Sequence, residues 1–249
     1  MSRTKKHDLL WLRPEPNDRR PRFNREQITA AVLKIADSEG FDALTMKRIA
    51  DELDCATMTL YYYVRTKADL VALMHDAILA GILLPQLPAG WREAVSAIAR
   101  RTRDVLLAHP WSVASLNGAL FGPNAMRHVE QSLAALDPLE VDTAEKLAFW
   151  GIVDDYVFGS ALRTVESLTQ AAAVEDNPRL MADAMTFGRQ QLATGQFPRL
   201  AALDRKQPVL KQVRRDKKSG QPMTAAMSIQ FDRGLKALLD GLAHSMNAR

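Results

Sequence analysis

The side chains best suited to chemistry lie close together. Thr57, Thr59, Tyr61, Tyr62 and Tyr63 crowd hydroxyls onto one short stretch, with Met58 among them, and Arg65 and Lys67 follow at once. Hydroxyls donate to phosphate oxygens, cations neutralise them, and side chains near a helix start reach base edges in a major groove. This is a chemistry of nucleic-acid contact rather than of bond breaking. Three consecutive tyrosines on a helix point in three directions, so one core cannot bury them all. Catalytic arrangements are scarce by comparison. The chain has no Gly-rich phosphate loop, no HExxH and no CxxC. His7, His75, His109, His128 and His244 are scattered without metal-ligand spacing. Asp154 and Asp155 are adjacent, and on a helix they diverge by about 100°, which suits no shared acid–base site. The reading is of no enzyme, no metal and no cofactor.

The elements that must hold the hydroxyl cluster are legible on either side of it. Met46, Ile49, Ala50 and Leu53 fall at i, i+3, i+4 and i+7, one buried face of a short helix, with Thr45 as its N-cap. Asp54 follows where the chain must turn sharply, and Asp tolerates the left-handed conformation better than most residues. A second helix is expected from 56 or 57 to 64, with Leu60 and Val64 as its thin apolar seam. Two short helices at a steep angle, the second rich in hydroxyls and followed by cations, form a helix-turn-helix.

The run T-M-x-x-I-A-D-E-L from Thr45, and then T-L-Y-Y-Y-V-R-T-K-A-D-L from Thr59, resembles the DNA-binding domain of the tetracycline-repressor (TetR) family. The resemblance is close over about 23–80. It departs at Asp54, where the family usually has Gly, and at Tyr62, where many members carry Arg or His. By this resemblance Tyr61 and Lys67 hold phosphates, and Thr57, Met58 and Tyr62 face bases. Lys47 adds a contact, and Thr59 and Tyr63 complete the DNA-binding set. The HPW turn at 109–111, the GPN turn at 122–124 and the DDYVFG run at 154–159 also resemble the family's C-terminal domains. The resemblance implies a homodimer that grips a palindromic double-stranded operator and is released by a small effector.

Bulk properties agree. The chain has 249 residues, 47% hydrophobic and 25% charged, with a formal net charge of +4 and a pI near 9.3. No apolar run reaches the roughly 18 residues of a membrane span. The basic N-terminus lacks the apolar core of a secretory signal. Cys55 is the single cysteine, which suits a reducing cytoplasm.

Taken in order, the chain reads as all-α. Residues 1–22 form a basic, flexible arm, broken by Pro14, Pro16 and Pro21 and holding an apolar knot from Leu9 to Leu12. Residues 23–84 form the DNA-binding domain. Asn24 caps its first helix, with Ile28, Val32, Ile35 and Ala36 inward. Thr66 and Asp69 open a linking helix over 66–84. Residues 85–249 form a helical ligand-binding and dimerisation domain. Within it the expected helices are 91–108, 111–120, 125–136, 143–174, 179–194 and 224–244, and 196–223 is a basic loop. Val95, Ile98 and Ala99 face inward on the first, while Arg100, Arg101 and Arg103 form a solvated face.

The ligand cavity is expected among the first four of these helices, lined by Leu106, Trp111, Leu116, Phe121, Met126, Trp150, Val153, Asp154, Val157 and Phe158. Large aromatic and thioether faces suit a flat, mostly apolar effector. Asp154 shares a side with Trp150, Val157 and Phe158 at helical spacing, and Asp155 belongs to the small-residue face with Gly151 and Gly159. The subunit interface is expected from 144–174 with either 179–194 or 224–244, chiefly Phe231, Leu235, Leu238 and Leu242. Two other readings use the same features: a DNA-binding regulator without an effector, and a helical small-ligand carrier or enzyme.

Overall fold

The computed structural model describes residues 9–14, 23–114, 122–206 and 223–247. Among them every regular element is helical. The chain divides into two compact units, Met1–Ala161 and Leu162–Arg249. Among the described residues no helix is long and apolar enough to cross a membrane.

The first unit begins with the reading head. Its α1, Arg25–Glu39, starts on a capping box: Asn24 Oδ1 accepts from Gln27 N–H at 2.8 Å, and Gln27 Oε1 accepts from Asn24 N–H at 3.0 Å. It ends at Gly40, whose φ of 88° is a conformation that side chains resist. Thr45 caps α2, Met46–Glu52, by accepting from Arg48 N–H at 3.1 Å. Asp54 then adopts φ 49°, the left-handed turn expected of it. The chain re-enters a helix as α3, Thr57–Leu60. The expected helix to 64 continues only as tight turns, with Tyr63 N–H donating to Leu60 O at 2.9 Å. Ile28, Val32, Ile35, Ile49, Leu60, Val64, Leu70 and Met74 form one core under these helices.

The linking helix α4, Lys67–Ile82, is buried on more than one face, because neighbours cover it on several sides. Leu70, Leu73 and Met74 belong to the head core, whereas Leu79 and Ile82 pack with Ala125 farther along. Helix α5, Trp91–Ala108, and α6, Pro123–Ala134, lie against it. Residues expected to begin a helix at 111 instead form a short 3-10 turn, Pro110–Ala114. Arg103, expected on a solvated face, is buried. Helix α7, Thr143–Asp176, contributes its residues through Ala161 to this unit.

The second unit holds the remainder of α7, then α8, Pro178–Ala193, α9, Pro198–Lys206, and α10, Met223–Asn247. Asn177 caps α8 and Pro178 occupies its first turn. Part of the expected loop is therefore the helix α9, and its last residue, 223, opens α10; residues 207–222 of that loop lie outside the described residues.

Residues 9–14 depart from the flexible arm expected of 1–22. Leu10 is 3% exposed and sits in the head core, with Trp11 packed beside it. Arg13 reaches Asp69 at 2.6 Å, and Arg25 Nη2 donates to Arg13 O at 2.9 Å. The physical reason is non-local: an apolar knot of this size buries wherever a partner surface is offered. The rest of the arm lies outside the described residues. Burial pushes the Asp69 carboxyl up, but hydrogen bonds from Arg13 and from the Arg65 and Thr66 N–H groups outweigh it and hold the carboxyl below its ordinary value. A lowered folded pKa stabilises the fold above the unfolded carboxyl's value of about 3.9, and that stability is lost as pH falls through it toward the folded value. Asp69→Asn should lower neutral-pH stability by on the order of 1 kcal/mol in thermal unfolding. The gap from wild type should shrink as the pH is taken below 4.

Candidate nucleic-acid interface and internal cavity

One face of the head collects the hydroxyl cluster. Met58 and Tyr62 stand out, Tyr62 at 74% exposed, and Tyr61 is exposed beside them. Thr57 and Thr59 are half-buried. Lys47 on α2 and Lys67 at the first position of α4 are exposed. The Lys67 ammonium also sits 5.0 Å from the Phe41 ring centroid, which steadies it through the ring's electron-rich face. Tyr63 is a correction. Of the three tyrosines it is the one turned inward, 5% exposed within the head core. The tight turns that follow Leu60 leave Tyr61 and Tyr62 outward and bring the next side chain into the core.

Charge on the head is sorted by ion pairing. Arg48 meets Glu39 at 2.6 Å and Glu52 at 2.9 Å, and Lys34 meets Glu52 at 2.6 Å. The Arg48 contact holds Glu39 below its ordinary value, and Lys34 and then Arg48 do the same for Glu52. Lys47, Arg65 and Lys67 have no ion-pair partner among the described residues. The uncommitted cations therefore flank the hydroxyl face.

The head is clamped to the helices behind it. Asp37 on α1 accepts from Trp111 Nε1 at 2.7 Å and lies 2.8 Å from His109 Nδ1. Trp111 stacks on Phe41 at 6.0 Å and on His75 at 6.3 Å between centroids. Burial holds the His75 imidazole below its ordinary pKa. Farther along α4, Asp76 receives the first turn of α6: its Oδ1 accepts from Asn124 N–H at 2.8 Å and Ala125 N–H at 3.3 Å. Asn124 Nδ2 adds a bond to Oδ2 at 2.9 Å. Any side chain at Gly122 would overlap this carboxylate.

A small, partly open pocket of about 30 Å³ lies among α5, α6 and α7. Val95, Ile98, Ala99, Leu136, Phe149, Trp150, Val153 and Val157 give it apolar walls. Thr102, His128, Ser132 and Asp154 bring polar groups to it. Thr102 and Ser132 donate to the carbonyls of Ile98 and His128 in their own helices, at 2.9 and 2.8 Å. Asp154 is half-buried, with no hydrogen-bond or ion-pair partner among the described residues, while Asp155 is exposed.

Of the expected lining, Trp150, Val153, Asp154 and Val157 reach the cavity. Trp111 belongs to the clamp instead, and Leu106 is buried in the core away from the lining. Met126 is 70% exposed on the outer side of α6. Phe158 is half-buried but not part of the lining. Leu116 and Phe121 lie outside the described residues. The missed residues had a signal. Val95, Ile98, Ala99 and Thr102 share one face of α5, and His128 and Ser132 are one turn apart on α6, a polar pair on a buried face.

Residues 84–246 match the family described as "Tetracyclin repressor-like, C-terminal domain", and residues 28–74 match "Bacterial regulatory proteins, tetR family". The chain belongs to the TetR family. A relative from Saccharopolyspora erythraea, an HTH-type transcriptional regulator, is 35% identical over 154 residues, covering 61% of this chain and 65% of that protein. The chain thus spans just under two thirds of that relative. The HTH-type transcriptional repressor DrrR1 of Streptomyces coeruleorubidus is 32% identical over 209 residues, 79% of this chain and 75% of that repressor. The crystal structure of the TetR family protein ActR of Streptomyces coelicolor in complex with actinorhodin aligns with a TM-score of 0.67 at 24% identity. It covers 90% of this chain and 98% of that one, and so agrees with the fold. Within this TetR fold, Tyr63→Ala should destabilise the head by about 3 kcal/mol in chemical denaturation, as loss of a buried aromatic does. Tyr62→Ala should leave stability within about 0.5 kcal/mol of wild type.

Proposed function

We propose that the protein is a homodimeric transcriptional repressor that binds a palindromic operator and is released by a small effector. The observation that carries this reading is one helix, α4, which shares a core with the hydroxyl-bearing head at one end and packs on α6, a wall of the cavity, along the other. Two heads in a dimer must sit one helical turn apart, or a near multiple, to enter successive major grooves. An effector that favours another head spacing weakens DNA binding by its differential affinity for the two conformations. On the DNA, Thr57, Met58 and Tyr62 face bases, Thr59 lies beside them, and Tyr61 and Lys67 hold phosphates, with Lys47 alongside.

The partner-facing surface needs revision from the sequence reading. Phe231 and Leu235 are buried within the single chain, so they are not open to a second subunit. Helix α8 has no buried residue, and Leu180 and Phe187 stand exposed on it, Phe187 at 63%. That apolar exposure supports α8 as the helix that meets a partner, together with half-buried Leu238 and Leu242 on α10. A stable dimer of this kind buries upward of roughly 2,000 Å².

Selection from random DNA tests the reading, which expects a palindrome with half-sites about one helical turn apart. On the selected DNA, Lys67→Ala should weaken all sequences alike and lower the salt slope by about one. A changed base preference at constant slope would count against a phosphate role.

The unpaired Asp154 carboxylate supports an effector that brings a donor, an ammonium or a hydroxyl, on a flat apolar frame. Titration of a bound effector, followed by tryptophan fluorescence, should show Asp154→Asn binding roughly tenfold or more weakly and Asp155→Asn unchanged. The reverse result in folded dimers would mean that α7 presents its other face to the effector.

A further inference from the structure

The hydrogen bonds of Gln131 are directional enough to assign a proton that lies against the cavity. Leu84 N–H can only donate, and it lies 3.1 Å from Gln131 Oε1. This fixes the amide, so Nε2 faces the other way. Nε2 carries two hydrogens, one for Ile82 O at 3.4 Å and one for His128 Nδ1 at 3.3 Å. Nδ1 must therefore accept, and the ring proton sits on Nε2. His128 lines the cavity and meets the Trp150 ring edge to face at 6.4 Å. The ring thus has one nitrogen committed to Gln131 and one N–H to offer.

The other end of this chain of bonds is the terminus of α4. Ile82 is the last residue of that helix and Leu84 lies just past it. Gln131 bridges the two as a peptide group would, satisfying one carbonyl that a helix end leaves without a partner. Asp76 ties the opposite end of α6 to α4. The two helices are joined at two places, and only the Gln131 tie is connected to the cavity through a side chain that lines it.

We propose that His128 and Gln131 form a relay that reports the cavity's occupant to the C-terminal end of α4. This rests on the effector-responsive reading above and names the chemistry that reading needs. The occupant is a flat, largely apolar molecule with a carbonyl or phenolic oxygen that accepts from His128 Nε2–H and a hydrogen that Asp154 accepts. An imidazole is rigid, so turning Nε2 toward the ligand oxygen draws Nδ1 away from Gln131. The amide then loses one of its three partners, and the bridge between Ile82 and Leu84 keeps only the bonds to Leu84 N–H and, at 3.4 Å, to Ile82 O. The end of α4 is loosened by the exchange of one hydrogen bond for another. Gln131 is a positioning residue in this scheme; His128 touches the ligand.

The experiment uses the full chain, DNA selected by it, and 1,8-dihydroxyanthraquinone as the probe, since that molecule combines a flat frame with carbonyl and hydroxyl oxygens. Saturating probe should weaken DNA binding by the wild type roughly tenfold, and by Gln131→Leu or Gln131→Glu less than about twofold, although both variants still quench tryptophan fluorescence on binding the probe. Gln131→Glu keeps an acceptor for Leu84 N–H and guards against loss of fold. Its carboxylate also asks His128 Nδ1 to donate, so nitrogen NMR of the ring should show Nε2–H in the wild type and a protonated Nδ1 in this variant. Variants that respond to the probe as the wild type does, or a wild-type ring protonated on Nδ1, would overturn the relay and leave the effector reading standing. Absence of probe binding to the wild type would overturn the ligand class. Failure to select any DNA would sink the regulator reading itself.

Discussion

A carboxylate withdrawn from water has to be satisfied where it lies, and Asp76 is satisfied by the first turn of α6. Burial pushes its carboxyl up, and the Asn124 and Ala125 N–H groups pull against that. Those N–H groups are among the donors that a helix start leaves unused, and the dipole there favours a negative neighbour. Separating α4 from α6 at this point would leave both a buried acid and a bare helix end. Gly122 belongs to the same constraint, because a side chain there would occupy the carboxylate's space. The head is held to α4 by apolar packing through Leu70, Leu73 and Met74, and α6 by hydrogen bonds. On the proposed reading, a displacement of α6 would be delivered to the head along one helix, since packed elements shift between discrete arrangements more readily than they deform.

What could be read from the sequence divides by the range of the forces involved. The caps at Asn24, Thr45 and Thr66 and the left-handed turn at Asp54 depend on residues within four positions of each other, and the structure has each of them. The resemblance likewise rested on a contiguous run, and the family followed. Rotation about a helix axis was harder. One residue of slip is about 100°, enough to put Tyr63 in the core and Met126 on the outer side, where the sequence pattern points the other way. The size of Trp111 suits a cavity wall as well as a clamp. Only the folded chain brings Phe41, His75 and Asp37 around it. Leu10 and Arg13 show the same limit: nothing near them in sequence indicates that their partners are the head core and Asp69.

The distribution of charge bears on how the proposed DNA contact would work. A formal charge of +4 is modest for 249 residues, and Lys34 and Arg48 of the head are already spent on Glu39 and Glu52. Among the described residues of the head, Lys47, Arg65 and Lys67 remain for phosphate, an attraction that is salt-sensitive and independent of sequence. The exposed side chains between them are apolar or aromatic at Met58 and Tyr62. Such groups recognise bases by shape and by contact with the thymine methyl, not by paired hydrogen bonds. On this reading selectivity depends on holding two heads in register, which places the demand on the dimer and on α4 instead of on any single base contact.

The cavity makes a complementary demand. Its apolar walls would accept many molecules of suitable size, and a methylene more or less changes affinity by only about 1–3 kcal/mol. Discrimination has to come from the polar groups. Thr102 and Ser132 already spend their protons on their own helices, so they offer oxygen alone. Asp154 can only accept while it is ionised, and His128 is left with one N–H. A ligand without a donor buries Asp154 unpaired, and one without an acceptor leaves His128 with nothing to turn toward. On the proposed relay, the first defect would cost affinity, whereas the second would remove the signal while allowing binding. A molecule that fits the walls but lacks the acceptor would therefore occupy the cavity as a silent competitor, so that response and occupancy are set by different atoms of the same ligand.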